Sequence, residues 1–475
     1  MNTQILKDKI KNDKILNNLA SFFPYYKIYL VGGSVRDFLT GKISCDRDLV
    51  VEGVDARNFS LECAGLFGGK FIPLDETNKI YRVVLPDRKN YLDITNPSGG
   101  CIESDLQRRD ITINAAAVDI KTYEIFDTTG GIKDLETRIL RGIKEENFID
   151  DPLRLLRIFR FYSMLGFELS EELVETVKKY SEFVMQPARE RIIYELMKLF
   201  SGDYADIALL KMDECKILDK IFPFVKELKQ VPPNSHHHLD LFHHSIETVR
   251  QIEIIYKNSL PEVQQHMERV DFGGVSRISH LKLACFMHDI GKFSTWTIEP
   301  NTDRHRFIKH EDAGAKLAET YLKSMKFSNK QISYISYIIK KHMYPTAVVS
   351  SPELSEKIMM RYVRKSEDNA VDNILIAQAD RLSARGKDIT NEIVEENITL
   401  LNRLLKFCLQ SYKSAKLLPK LLNGNEVMKI LKIKASPKLG EILDALLDAQ
   451  ISGEVVTKDD AMNFVKNYSA GCNLK

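Results

Sequence analysis

The sequence predicts an α+β protein, in which a mixed head that contains a β-sheet is followed by helices alone. Three observations support this fold class. Short runs rich in β-branched and aromatic residues, separated by turn residues, continue to about residue 126. Helical patterns take over from about residue 150. All 11 histidines lie between residues 236 and 342, which indicates a separate module within the helical part.

Length and composition exclude several classes of protein. The 475 residues, 44% hydrophobic and 28% charged, suffice for two to four folded domains. The 68 Lys and Arg residues nearly balance the 66 Asp and Glu residues, so any nucleic-acid site must be a local basic face. No apolar stretch approaches the roughly 20 residues that cross a bilayer, the cysteines form no C-x-x-C pair, and the N-terminus lacks the apolar core of a signal peptide. We therefore expect a cytoplasmic protein without a membrane function.

The first elements form the head. Apolar residues at helical spacing predict a helix over residues 5–20, and Lys27–Val31 (KIYLV) predicts a short buried strand. The same patterns predict strands at residues 49–51, 81–85, 91–95 and 113–120, and a helix near residues 55–66.

Helical segments follow at residues 150–230, 236–385 and 390–475. The lysines of the last segment either follow an RNA backbone or form a solvated helical surface. We divide the chain into a head (1–140), a helical neck and body (141–232), a histidine-containing module (233–390) and a helical tail (391–475).

A glycine turn lies between the first strand and a possible helix. Gly32 and Gly33 would let backbone N–H groups approach a phosphate, and Arg36 adds a positive guanidinium. The alternative is an ordinary strand-to-helix turn.

Two carboxylates begin the next strand. Asp46 and Asp48 are two residues apart, so both point from one face of the strand. Such hard oxygen ligands suit Mg²⁺, which takes the rest of its coordination from substrate phosphates. Asp93, in a later strand, could be a third carboxylate or a surface residue. The sequence thus predicts a magnesium-dependent phosphoryl-transfer site.

Four runs carry a family resemblance. LVGGSVRD, DRDLVVEG, DLQRRDITINAAA (105–117) and DDPLRLLRIFRF (150–161) are similar to motifs of the class II tRNA nucleotidyltransferase and bacterial poly(A) polymerase family, in that family's order. The resemblance implies a polymerase-β-like head joined to helical neck, body and tail regions. It also implies the addition of nucleotides to RNA 3′ ends without a nucleic-acid template.

The resemblance also implies roles for individual residues of the head. Asp46 and Asp48, with Asp93 as a possible third carboxylate, would be catalytic and hold Mg²⁺. The other nucleotide-binding residues that it implies in the head are Gly32, Gly33, Arg36, Arg108, Arg109 and Asp110.

A base-reading pair is predicted at the start of the neck. Asp151 and Arg154 are three residues apart, hence on one face of a helix that begins near Pro152, and Arg157 and Arg160 extend this face. A carboxylate accepts hydrogen bonds and a guanidinium only donates them, which fits the edges of C and A but not those of U and G. The alternative is a surface ion pair.

By resemblance, the segment around Asp151 is the family's base-reading motif, although the family usually has Glu at the position of Asp150. The segment from Arg189 to Glu195 matches the family's helix that braces the neck, which implies a structural role.

The histidine module resembles the HD phosphohydrolase superfamily. Its ligand order H…HD…D is reproduced, and two more histidines fall where two-metal HD proteins supply extra ligands. The resemblance implies a divalent metal of unknown identity and phosphohydrolase action on RNA ends. The implied metal ligands are His244, His288, Asp289, His310, His342 and Asp380. The roles of His236, His237, His238 and His243 stay open.

The sequence therefore predicts an enzyme that adds C and A to the 3′ end of tRNA from CTP and ATP. Addition of A alone, addition of CC alone and poly(A) synthesis remain open, because the run PLDETNKIYRVV departs from an arginine-bearing strand motif of many CCA-adding members. An HD hydrolase with a head that only binds nucleotide is disfavoured, because Asp46 and Asp48 are both present.

Overall fold

The chain forms two units, Met1–Pro223 and Phe224–Lys475. The computed structural model describes residues 3–41, 45–235, 237–300, 304–417 and 421–471. The first unit contains a large sheet, whereas the second is almost entirely helical. The α+β class predicted from the sequence is therefore confirmed.

Seven described strands form the sheet of the first unit. They are β1 (Lys27–Val31), β2 (Asp46–Glu52), β3 (Lys70–Asp75), β4 (Ile80–Val84), β5 (Tyr91–Thr95), β6 (Ala117–Asp119) and β7 (Ile125–Phe126). Their order is β3-β4-β5-β2-β1-β6-β7. β2 pairs with β5 in parallel, and the other neighbours are antiparallel. β1 and β2 lie in the centre of the sheet because their side chains are mostly apolar on both faces; Leu30, Leu49 and Val50 are fully buried.

Six described helices accompany this sheet. They are α1 (Thr3–Asn12), α2 (Lys14–Phe22), α3 (Gly33–Leu39), α4 (Ala56–Phe67), α5 (Ile102–Gln107) and α6 (Gly131–Thr137). The single helix predicted over residues 5–20 is two helices, because the Asp13 side chain accepts hydrogen bonds from the N–H groups of Ile15 and Leu16 and so caps α2. The strand predicted at residues 113–120 is shortened to β6 by a preceding 3₁₀ turn.

The neck consists of short helices and one small parallel strand pair. These elements are β8 (Ile139–Leu140), α7 (Glu146–Asp150), α8 (Leu153–Leu165), β9 (Glu168–Leu169), α9 (Glu171–Tyr180), α10 (Arg189–Phe200), α11 (Ala205–Glu214) and α12 (Leu218–Ile221). α8 packs against both α10 and α11. Its buried face includes Leu155, Leu156 and Phe159, which are fully inaccessible. α8 is thereby held in place while its other face remains open.

The second unit is built from helices and one hairpin. The helices are α13 (Val225–Leu228), α14 (Leu241–Lys257), α15 (Pro261–Met267), α16 (Arg277–Met287), α17 (Lys292–Thr295), α18 (His310–Ser324), α19 (Asn329–Lys341), α20 (Tyr344–Val349), α21 (Glu356–Ser366), α22 (Ala370–Ser383), α23 (Asn391–Leu417), α24 (Gly424–Leu431), α25 (Pro437–Ile451) and α26 (Lys458–Gly471). The hairpin strands are β10 (Trp296–Glu299) and β11 (Arg304–Phe307).

α16 lies at the centre of the second unit. Every residue of α16 is buried, and the helix packs against α14, α19 and α22. Its first residue, Arg277, is only 1% exposed and donates to Asp372 of α22 over 2.6 Å. Among the described helices, none combines the length and the apolar character that crossing a membrane would require.

Candidate functional site

The turn between β1 and α3 brings the backbone close to two functional side chains. Gly32 has a φ of 67°, and a Cβ atom there would lie 2.9 Å from Nη1 of Arg109 and 3.5 Å from Oδ2 of Asp48. Only glycine allows this conformation and this approach without strain. Arg36, one turn into α3, donates to Oδ1 of Asn114 over 2.7 Å and to Asp37. The turn therefore places the guanidinium of Arg36, which its hydrogen bonds hold in position, beside the backbone of the two glycines.

Three carboxylates lie on neighbouring parallel strands. Asp46 begins β2, and Asp48 stands directly beside Asp93 of β5 in the strand register. Burial and then the charge of Asp93 raise the pKa of Asp48 to about 6. Asp93 accepts two hydrogen bonds from Arg82 of β4, each 2.7 Å long. Arg82 thus neutralises the third carboxylate in the metal-free protein.

These carboxylates fit a bound magnesium ion. Asp46 and Asp48 offer hard oxygen donors from one face of β2, and the ionised form of Asp48 is disfavoured by its burial and by Asp93. A divalent cation at this point would remove that penalty. The residues predicted to hold Mg²⁺ are therefore chemically suited to it.

A cleft of about 540 Å³ joins these carboxylates to the neck. It brings together eleven of the residues predicted from the sequence: Gly32, Gly33, Arg36, Asp48, Asp93, Arg109, Asp110, Asp151, Arg154, Arg157 and Arg160. Asp46 begins the same strand as Asp48 but does not line the cleft. Arg108, which we also predicted to bind nucleotide, is exposed at the end of α5 and is not brought to the cleft.

The cleft also contains residues that the sequence analysis did not select. Asn114 holds Arg36, and Phe161 lies beside three guanidinium groups, that of Arg160 at 4.3 Å and those of Arg36 and Arg157 at 5.6 Å from the ring centroid. Arg191, to which we gave only a structural role, also lines the cleft. The sequence contained a signal for each of these two residues: Phe161 directly follows Arg160, and Arg191 is a cation in a matched motif.

Asp110 and Arg157 form an ion pair within the cleft wall. Arg157 donates to Asp110 through Nε over 2.7 Å, and its Nη1 lies 3.7 Å from Glu195. Although burial opposes ionisation, Arg157 lowers the pKa of Asp110 to about 2. Arg160 also contacts Glu195, at 3.1 Å. Asp110 is thus occupied by Arg157, and the pair connects the head to α8.

The predicted base-reading pair lies in the cleft, but its geometry differs from the prediction. Asp151 does not belong to the helix: its backbone is extended, with a φ of −139°, and it connects α7 to α8. The spacing of three residues between Asp151 and Arg154 predicted that both lie on one helix. The helix α8 begins only after Pro152, so that Asp151 lies outside it. Asp151 accepts a hydrogen bond from Nη2 of Arg191 over 2.9 Å, and Arg154 donates to the Asn147 carbonyl over 2.9 Å. Both side chains are thereby oriented before any ligand binds.

The second unit contains a buried cluster of histidines and aspartates. His244 comes from α14, Asp380 from α22, and His288 and Asp289 follow α16. Nε2 of His244 lies 3.1 Å from Oδ1 of Asp380, and Nε2 of His288 lies 3.2 Å from Oδ2 of Asp289. These residues were predicted to hold a metal, and the structure brings all of them together.

Asp289 also contacts the remaining two predicted ligands. Its Oδ1 atom lies 3.3 Å from Nε2 of His310 and 3.8 Å from Nε2 of His342. Two groups of potential metal ligands therefore share Asp289, one with His244 and His288 and the other with His310 and His342. Either group could hold a divalent metal ion.

The Nε2 atoms of the histidines face the other candidate ligands, and those of His310 and His342 lie 3.3 Å apart. The Nδ1–H groups of His288, His310 and His342 donate to backbone carbonyls over 2.7, 2.9 and 2.7 Å. Such bonds select the tautomer in which Nε2 is a ligand. Within the described part of the chain, Nε2 of His288 and Oδ1 of Asp289 are buried without a hydrogen-bond partner. This donor set fits a divalent metal.

The charges in the cluster depend on one another. Burial of the His288 ring disfavours its charged form, but the carboxylates of Asp289 and Asp380 outweigh this effect and raise the pKa of His288 to about 10. Burial, reinforced by the charge on His288, lowers the pKa of His342 to about 3.

The other histidines left open have different environments. The ring of His237 lies 4.5 Å from that of His244, whereas His243 forms an exposed ion pair with Asp240 and His238 is exposed. His236 lies outside the described residues.

Family models match three segments of the chain. Residues 75–141 match the Poly A polymerase head domain, residues 166–229 match a segment described as the probable RNA- and SrmB-binding site of polymerase A, and residues 241–385 match the HD domain.

Similar proteins match over almost the whole chain. An A-adding tRNA nucleotidyltransferase of Deinococcus radiodurans is 31% identical over 93% of this chain and 95% of its own length. A CC-adding tRNA nucleotidyltransferase of Thermus thermophilus is 30% identical over 94% of this chain and 96% of its own length. A structure of the Thermotoga maritima CCA-adding enzyme complexed with tRNA has 21% identity and a TM-score of 0.57, and the match covers 98% of both chains.

Proposed function

Because this chain belongs to the class II CCA-adding enzyme and poly(A) polymerase family, with head, RNA-binding and HD domains, we propose that it is a tRNA nucleotidyltransferase that adds C and A to the 3′ end. The observation that carries the choice of bases is the placement of Asp151 and Arg154 in the same cleft as Asp48.

Base selection follows from what these two side chains can accept and donate. Cytosine and adenine each present an exocyclic amine beside an unprotonated ring nitrogen, so Asp151 would accept from the amine and Arg154 would donate to the ring nitrogen. Uracil and guanine present a carbonyl beside a ring N–H, which reverses both requirements. Each buried group left unpaired costs roughly 1–3 kcal/mol. The pair therefore selects CTP and ATP without a template strand.

The other end of the cleft would hold the triphosphate and the reacting hydroxyl. Arg36 and the backbone of Gly32 and Gly33 would bind the phosphates, whereas Asp46 and Asp48 would hold Mg²⁺. Bound Mg²⁺ lowers the pKa of the attacking 3′-hydroxyl and neutralises the leaving pyrophosphate. Two hydrogen bonds from Arg82 hold the Asp93 carboxylate in place beside Asp48. Nucleotide specificity and chemistry are thus assigned to opposite ends of one cleft.

We assign a second activity to the HD cluster, namely the hydrolysis of phosphoesters at RNA ends. The support is the chemistry of its donors, since histidine and aspartate ligands in this arrangement suit metals that activate water. We also retain four domains, 1–140, 141–232, 233–390 and 391–475. Support for these bounds comes from the matched segments, since residues 75–141, 166–229 and 241–385 fall almost entirely within the first, second and third domains.

The experiment that tests the nucleotide specificity uses three tRNA acceptors. They end before C74, after C74 and after C75, and each is offered every nucleoside triphosphate separately. We expect CTP to be incorporated on the first two acceptors and ATP on the third. Incorporation of UTP or GTP at comparable rates would contradict the proposal.

A second candidate is a tRNA nucleotidyltransferase that adds only A or only CC. It is favoured by one observation: the two relatives that match nearly the whole chain have these partial activities. Activity only on the acceptor ending after C75 would establish the A-adding alternative. Activity only on the first two acceptors would establish the CC-adding one.

A further inference from the structure

The solvent-facing side of α10 is basic and aromatic. Arg191, Tyr194 and Lys198 lie three and four residues apart, hence on one side of the helix, and we call them the α10 face. Glu190, four residues before Tyr194, is exposed on the same side, Arg189 is half-buried, and the remaining residues of α10 outside this face are buried. Tyr194 is 55% exposed, and the ammonium of Lys198 lies 5.8 Å from its ring centroid. A large aromatic ring thus faces solvent between two cations.

The α10 face begins at the rim of the nucleotide cleft. Arg191 lines the cleft and donates to Asp151, one of the two residues assigned to base recognition. Side chains three residues apart on a helix are separated by about 5–6 Å at Cβ. Tyr194 therefore lies one helical turn outside the position that the incoming base would occupy.

We propose that the α10 face binds the 3′-terminal nucleotides of the RNA acceptor, with Tyr194 stacking on a base and Arg191 and Lys198 facing phosphates. This inference rests on the proposed nucleotidyl transfer. Single-stranded nucleic acid is bound by this combination of aromatic rings and cations, and an acceptor must enter beside the incoming nucleotide. The face is continuous with the cleft, and it lies in the segment whose matching model is described as an RNA-binding site. Tyr194 is a positioning residue in this scheme.

The test compares Tyr194→Ala with Tyr194→Phe and with Tyr25→Ala. Tyr25 is a matched control, because it is 95% exposed in the same unit and does not line the cleft. Fluorescence anisotropy measures the binding of tRNA that ends after C75, and of the same tRNA with an abasic 3′-terminal nucleotide, in the absence of nucleotide. Steady-state kinetics give KM and kcat for tRNA and for ATP.

We expect Tyr194→Ala to weaken binding of the intact acceptor roughly 5- to 150-fold, the range for stacking of one base on an aromatic ring. KM for tRNA should rise while KM for ATP stays unchanged. Tyr194→Phe and Tyr25→Ala should behave like the wild type. The abasic tRNA should bind the wild type and Tyr194→Ala equally, because the stacking partner is already missing.

Equal binding of intact tRNA by the wild type and by Tyr194→Ala, at equal melting temperatures, would overturn the proposal. An unchanged affinity for RNA combined with the loss of a protein partner would assign the face to protein binding instead. Failure of the wild type to add any nucleotide would refute the proposed function. The binding measurements would still show whether the α10 face holds an RNA end.

Discussion

At the scale of single residues, Asp48 combines two opposing demands. Its carboxylate must be ionised to hold a metal, yet it is half-buried beside Asp93, and desolvation and the charge of Asp93 raise its pKa to about 6. Ser34 and Arg109 offset part of this penalty by a hydrogen bond and by charge. The residue is therefore arranged for binding a cation rather than for stabilising the fold.

Replacement of the Asp48 carboxylate should remove nucleotide addition without lowering the stability of the protein. We expect Asp48→Asn to abolish nucleotide addition, because the amide cannot supply the negative charge that holds Mg²⁺. The melting temperature should stay equal or rise, since a buried charge beside Asp93 is removed. Hydrolysis by the HD cluster should persist. Full nucleotide addition by the variant would show that the metal site in the head is assigned incorrectly.

Base selection is tested at Arg154. We expect Arg154→Ala to let UTP and GTP compete better with CTP and ATP, because the guanidinium that donates to the ring nitrogen is removed. Loss of one such discriminating contact corresponds to about 1–3 kcal/mol. Binding of the triphosphate through Arg36 should remain. Competition assays with all four nucleotides measure the effect, and an unchanged preference would identify Arg154 as a purely structural residue.

At the scale of elements, α8 carries one wall of the cleft and is joined to the head by the Asp110–Arg157 ion pair. Its opposite face packs on α10 and α11. The helix therefore fixes the position of the base-reading residues relative to the carboxylates of β2.

Breaking this ion pair should destabilise the first unit. We expect Arg157→Ala to lower the free energy of unfolding by about 3 kcal/mol, because the buried Asp110 carboxylate loses its partner. The double variant Arg157→Ala/Asp110→Asn should lose less than the sum of the two single variants. Denaturant unfolding measures these changes. Glu175→Ala, which removes a more exposed ion pair with Lys178, is the control and should lower the free energy of unfolding far less.

Elements with a strong local pattern could be predicted from the sequence, whereas those determined by distant contacts could not. β1 and β5 were predicted with their observed bounds, since their residues form short apolar runs. The hairpin β10–β11 was missed because its strands are polar and half-exposed. Asp151 was placed on a helix because spacing alone does not reveal the extended backbone before Pro152.

The residues of the candidate sites follow the same division. The HD ligands could be selected because their residue types are distinctive and their order is informative. Arg191 could be noticed as a cation in a matched motif, but its place in the cleft depends on a contact with Asp151, 40 residues away, which no local pattern reveals. Arg108 was selected with Arg109, yet only the latter faces the cleft, since neighbouring residues at the end of α5 point in different directions.

At the scale of the whole molecule, the two groups of candidate metal ligands lie in two separate units. The carboxylates of the head lie within Met1–Pro223, and the HD cluster lies within Phe224–Lys475. Among the residues that the structure describes, the two groups have no member in common. Each activity should therefore be removable without the other.

A change in the histidine cluster should remove one of the two activities and leave the other. We expect His288→Ala to lose bound divalent metal and the hydrolysis of 2′,3′-cyclic phosphates, because one imidazole ligand is missing. Nucleotide addition should continue at the rate of the wild type. Metal analysis beside a melting curve distinguishes this result from a structural role, which would lower the melting temperature without changing the metal content.

Metal binding by the cluster should also depend on pH. The pKa of His288 in the metal-free protein is raised to about 10, so this imidazole is protonated at neutral pH and a metal must displace its proton. The apparent metal affinity should therefore increase as the pH rises toward 10, by about tenfold per unit for one released proton. Calorimetry in buffers of different ionisation enthalpy counts the protons. An affinity independent of pH would contradict the charge assigned to His288.

Because β2 and β5 are parallel neighbours, the head cannot assemble its reaction centre from a local hairpin. The chain must first pass through α4, β3 and β4 before β5 returns to lie beside β2, and such long-range pairing is a slow event in folding. The same event brings Asp48 against Asp93, while β4 delivers Arg82 as the counter-ion. Newly made chains therefore bring Asp48 and Asp93 together only after β5 has paired with β2. A polypeptide whose synthesis or folding stops before this step contains the glycine turn and Asp48 but has no catalytic competence.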